Sequence, residues 1–155
     1  MNDVFFTSML PSIHRDALER LFYFNKNQKK VHDAVLMATE RYGAPRVALR
    51  NGRLWVQCAS GVETQSLFVM DGDGPAAELI GVIVYTREEE KLVVLFMAVR
   101  EDYTYRSDRR SPILLLRMVE EVRNIGRRVK GITSVELFLR GSAASHISVE
   151  SPNKL

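Results

Sequence analysis

Two apolar runs, residues 79–86 and 92–99, flank the acidic turn Arg87-Glu88-Glu89-Glu90. A strand with one wet face alternates apolar with polar residues, and neither run does so. Both therefore read as central strands covered on each face. Two such strands oblige the rest of the chain to supply two layers of cover. With 155 residues, 46% of them hydrophobic, there is material for one domain with a continuous core. The same runs are far too short to cross a bilayer as helices.

The remaining elements follow from local signals. Val4-Phe5-Phe6 reads as a first strand before Pro11. Ser12 is placed to cap a helix with Ile13, Ala17, Leu18, Leu21 and Phe22 on its inner side. A second helix is expected over about residues 28–42, with Val31, Ala34, Val35 and Ala38 inward and Gly43 and Pro45 as stop signals. Asn51-Gly52 is a two-residue hairpin turn, which sets Leu49 opposite Leu54 and Val47 opposite Val56. Residues 64–70 form the next strand, ended by Asp71-Gly72-Asp73-Gly74-Pro75. Ser111 and Pro112 open a long helix whose stripe is Leu115, Met118, Val119, Val122, Ile125 and Val129. Arg117 and Glu121 are spaced to pair on its outer side, and Arg127, Arg128 and Lys130 suit its C-terminal dipole. A strand over 134–139 then returns parallel to the strand before the helix. The expected fold is α+β: a central mixed, mostly antiparallel sheet flanked by helices, in the order β-α-α-β-β-β-β-α-β. It forms one domain over 1–155, with about 141–155 as a tail.

Chemistry concentrates after residue 99. Arg100, Arg106, Arg109 and Arg110 lie between a buried strand and a helix N-terminus, where free N–H groups and guanidinium forks favour a phosphate. A solvated crossover loop explains the same arginines. No glycine occurs between Gly81 and Gly126, so the backbone cannot approach a phosphate as a glycine-rich loop does. Tyr103 and Tyr105 interleave with the arginines and can stack bases or pack on the sheet edge. Asp71-Gly72-Asp73-Gly74 lacks the later ligands of a calcium loop and reads as a turn. His14, His32 and His146 have no metal-ligand spacing. Glu136 alternates with Val135 and Leu137, so it faces either outward or into a cleft, with a solvated strand position as the default reading. Cys58 is the single cysteine, and no basic segment followed by an apolar stretch opens the sequence, so a reducing, cytoplasmic setting is expected. The formal charge of +3 does not by itself imply nucleic acid.

The order of elements, above all Gly81-Val82-Ile83-Val84-Tyr85, the run 92–99, Glu101-Asp102-Tyr103 and the helix from Pro112, resembles the GNAT superfamily of N-acetyltransferases. The resemblance implies a central strand splayed from its parallel neighbour, with acetyl-CoA as cofactor in the opening. Met97, Ala98 and Val99 would hold the pantetheine arm, and Arg106, Arg109, Arg110 and Ser111 the pyrophosphate. Arg106-Ser107-Asp108-Arg109-Arg110-Ser111 stands where the family has Arg/Gln-x-x-Gly-x-Gly/Ala, and the family's closing hairpin has no clear counterpart. The implied activity moves an acetyl group to an amine on a small molecule or protein, with Glu136 and Tyr105 as candidate proton acceptors. Alternatives are a catalytically inactive protein-binding or scaffold module, with a homodimer completing the sheet, and a nucleic-acid-binding protein.

Overall fold

The computed structural model describes residues 4–23, 43–100, 110–137 and 145–149. Its strands are β1 (Val4–Thr7), β2 (Leu10–Pro11), β3 (Pro45–Arg50), β4 (Arg53–Cys58), β5 (Gln65–Asp71), β6 (Glu78–Glu88), β7 (Lys91–Val99), β8 (Ser134–Leu137) and β9 (Ser145–Ser148). The α-helices among the described residues are α1 (Arg15–Tyr23) and α2 (Arg110–Arg128). Six strands form one sheet in the order β1-β5-β6-β7-β8-β9, and three form another in the order β2-β4-β3.

The long apolar strands take the centre of the larger sheet, as their composition demands. Their two faces bury separate cores. On one side Phe68, Met70, Val82, Val84, Val93, Leu95 and Phe96 meet α1 and the inner face of the smaller sheet. On the other side Val69, Ile80, Ile83, Leu92 and Val94 meet Leu114, Met118 and Val122 of α2. The hairpin forms in the expected register, Leu49 opposite Leu54 and Val47 opposite Val56. Asn51 at φ 52° and Gly52 at φ 77° supply the left-handed pair that such a turn requires. β7 and β8 run parallel, as the length of the helical crossover predicts.

The helix-flanked α+β expectation is overturned. Strands dominate the described residues, and one face of the main sheet is covered by α1 together with a second, small sheet. The reason is non-local: Leu10 pairs with Leu54 and Pro11 with Arg53, which recruits the hairpin into a separate layer. Polar stitches fix that layer to β5. The Trp55 indole N–H donates to Thr64 Oγ1 at 3.1 Å, the Thr64 hydroxyl donates to the Val56 carbonyl, and the Ser66 hydroxyl accepts from the Val56 N–H. The helix expected over 28–42 lies outside the described residues.

Two smaller expectations are also corrected. Ser12–His14 form a 3-10 turn, and the α-helix begins only at Arg15. The tighter turn puts Ile13 out of phase with Leu18, Leu21 and Phe22, and it stands 84% exposed. Within the segment read as a tail, Ser145–Ser148 pair antiparallel with β8 and supply a closing strand. Arg123 and Arg127 of α2 donate to the carbonyls of Ser148 and Val149 at 3.1 and 2.6 Å. Glu120 holds both guanidinium groups from the same helix.

Candidate functional site

The β7–α2–β8 unit carries most of the residues singled out in the sequence. Val84 of β6 stands opposite Phe96, yet the next residue, Tyr85, stands opposite Val94. Leu95 is therefore an extra residue, a β-bulge. Its packing agrees, since Leu95 and Phe96 both enter the core beneath α1, while Val94 and Val99 face α2. A bulge bends its strand and increases the local twist. The bend follows the described rungs of the parallel ladder, in which β7 pairs with β8 from Lys91 against Ser134 to Val94 against Leu137. Among the described residues, the part of β7 beyond Val94 has ladder partners in β6 only.

Met97, Ala98 and Val99 occupy that outlying part of β7. Ala98 and Val99 are buried and Met97 is half-buried. The strand direction continues one step further, with the Arg100 N–H donating to the Ile80 carbonyl at 2.8 Å. The Arg100 guanidinium lies 3.5 Å from the Glu78 carboxylate. Arg110 and Ser111 begin α2, so the end of β7 and the start of α2 are the two ends of one short connection. Tyr103, Tyr105, Arg106 and Arg109 lie in that connection, outside the described residues.

Glu136 sits elsewhere on the unit, opposite Val93 in the paired part of β8. It is 3% exposed, so the expectation of a solvated position is corrected. Lys91 Nζ lies 3.1 Å from its carboxylate and 3.8 Å from that of Glu88. The parallel register sets Lys91 and Glu136 diagonally on one face, where a lysine stem reaches across while its ammonium stays near water. Nothing in the sequence around Glu136 points to Lys91, because the parallel register alone joins them. The bulge was equally hidden: a run of uniformly apolar residues gives no sign of which one is extra.

No protein family, characterised protein or solved structure matches this chain. The resemblance to acetyltransferases accordingly rests on the order of elements alone, from the first strand through residue 139 and most of all from residue 81 onward. Among the described residues, no helix is long and apolar enough to cross a membrane. Two further ionisable groups are shaped by burial. Burial pushes the Cys58 thiol up to about 11, which keeps it protonated and unreactive at neutral pH. Burial also raises the Tyr85 hydroxyl, with Arg128 opposing the shift and Glu121 adding to it.

Proposed function

We propose that this chain transfers an acyl group, such as acetyl, from a coenzyme A thioester to an amine. The observation that carries the proposal is the bulge at Leu95, next to Val94, which pairs with Leu137 in the described part of the β7–β8 ladder. A strand bent away from a parallel neighbour can offer main-chain donors to an extended ligand that a continuous ladder would exclude. The proposal rests on this local unit, without a helix-flanked fold around it. Met97, Ala98 and Val99 would line the pantetheine arm. Arg106, Arg109, Arg110 and Ser111 would meet the pyrophosphate through charge and the α2 N-terminus. With no glycine in the connection, side chains would carry more of the phosphate contact than main chain does.

In such a transfer the amine nitrogen attacks the thioester carbon, the C–N bond forms, the C–S bond breaks, and the thiolate takes up a proton. A strand-end N–H aimed at the carbonyl oxygen stabilises the charge that develops there. Glu136 and Tyr105 are the candidate acceptors of the amine proton. Lys91 already engages the Glu136 carboxylate, which leaves Tyr105 or a water as the other candidate. Calorimetric titration of the full chain with acetyl-CoA tests the proposal. Saturable heat is expected, with affinity lowered about tenfold in Arg106→Ala and in Arg109→Ala. No heat with the wild-type chain overturns it.

One observation favours a second reading, a protein-binding module. Phe5, Met9 and Ile13 are 42%, 53% and 84% exposed along one short stretch of chain. Exposed apolar residues that fall together in sequence can serve a partner surface or a second copy. Sedimentation that shows a concentration-dependent dimer, abolished by Ile13→Asp, would support this reading. A monomer at all concentrations would count against the homodimer.

A further inference from the structure

A cleft of about 460 Å³ opens where the hairpin sheet meets the start of β5, remote in sequence from the β7–α2 connection. Arg50 and Arg53 line it from either side of the Asn51-Gly52 turn, and Trp55, Met9, Glu63 and Ser66 complete its wall. Arg50 and Arg53 are direct cross-strand partners. Two like charges set opposite each other in an antiparallel pair repel, and the usual remedy is an acidic neighbour. Among the described residues neither arginine is in an ion pair. Among the described residues Glu63 is the one acidic side chain of the lining, against the two arginines.

The floor is organised for a planar body. The Arg50 guanidinium lies 3.9 Å from the centroid of the Trp55 ring, a stacked cation–π arrangement that holds Arg50 over the indole. Hydrogen bonds from the indole N–H to the Thr64 hydroxyl and carbonyl fix the ring in turn. The volume is in the range that encloses a small organic ligand.

We propose that this cleft binds a small organic oxyanion, a carboxylate or phosphate carried on an aromatic ring. The oxyanion sits between Arg50 and Arg53 and relieves their repulsion, while the ring packs on the Arg50–Trp55 stack and Met9. This site is independent of the acyl-transfer proposal, because it shares no residue with it.

Trp55 is the only tryptophan in the chain, so selectively excited tryptophan fluorescence reports on this cleft alone. Titration of the full chain with benzoate, with phenyl phosphate and with neutral benzamide separates the cases. A saturable change with either anion, a preference between them that names the headgroup, and at least tenfold weaker binding of benzamide are expected. Arg53→Gln should weaken the anion at least tenfold and, by removing the opposed charge, leave the unliganded Tm equal or higher. Equal response to benzamide, undiminished binding in Arg53→Gln, or no saturable response to either anion overturns the proposal. So does a fall in the unliganded Tm of Arg53→Gln, because it would show that the pair stabilises the empty fold.

Discussion

Gly126 lies within α2, where glycine costs a helix up to about 1 kcal/mol relative to alanine. A Cβ there would lie 2.8 Å from Val149 Cγ1, closer than real side chains approach, and 3.2 Å from Ile132 Cγ2, a tight contact. The absent side chain is what lets the helix settle against Val149 and Ile132. Gly126→Val should therefore destabilise by about 1–3 kcal/mol, as overpacking does, despite removing a helix glycine. Urea denaturation measures it, and an unchanged midpoint would show that the contact yields freely. Cys58 gives a pH prediction with a definite sign. An unfolded thiol ionises near 8.5, and the folded one near 11. Below the lower value both states hold the proton and the contribution is constant. Between the two, only the unfolded chain loses it, so stability should fall as pH rises and level off above 11. Thermal melts of wild type and Cys58→Ala from pH 8 to 11 check this: the mutant should lose less stability over the range.

At the scale of elements, the α2–β9 latch makes the clearest prediction. Arg123 and Arg127 reach the carbonyls of Ser148 and Val149, and the Val149 N–H donates to the Thr133 carbonyl. β9 is four residues long and pairs only with β8 among the described strands, so side-chain bonds matter more there than in β6 or β7. Replacing both arginines with alanine should speed amide hydrogen exchange at residues 147–149 at least tenfold and leave β6 unchanged. Uniform acceleration would mean that the latch supports the whole fold. This latch also shows what sequence could and could not convey. The basic end of α2 was legible as a helix terminus, because arginine and lysine there suit the dipole, but their carbonyl partners lie beyond the next strand. Asn51-Gly52 fixed its hairpin because every determinant is local. With that register in hand, Arg50 opposite Arg53 was readable too, although nothing local disclosed the cleft around them. Ile13 misled because a 3-10 turn and an α-helix begin with the same residues and differ only in phase.

For the whole molecule, one sheet serves two cores, with β5, β6 and β7 common to both. Phe68 is fully buried on the side of α1, and Met118 is fully buried on the other. Phe68→Ala should cost about 3–5 kcal/mol and Met118→Ala about 2–5 kcal/mol. Because the shared strands cannot persist with one face bare, both variants should still unfold in a single transition by circular dichroism and fluorescence. Two separated transitions would show that the layers are independent units. The general architecture escaped the sequence for a related reason. Continuous apolar strands announce that both faces are covered, but they say nothing of whether a helix or another sheet does the covering.

The surplus residue in β7 finally sets how this region tolerates change. Excising Leu95 would restore strict up-and-down parity along the strand and thereby turn one flank of it inside out, sending Val94 and its predecessors to the layer opposite their own. Exchange of one aliphatic for another at that point should be borne easily, whereas a change in chain length by a single residue should not.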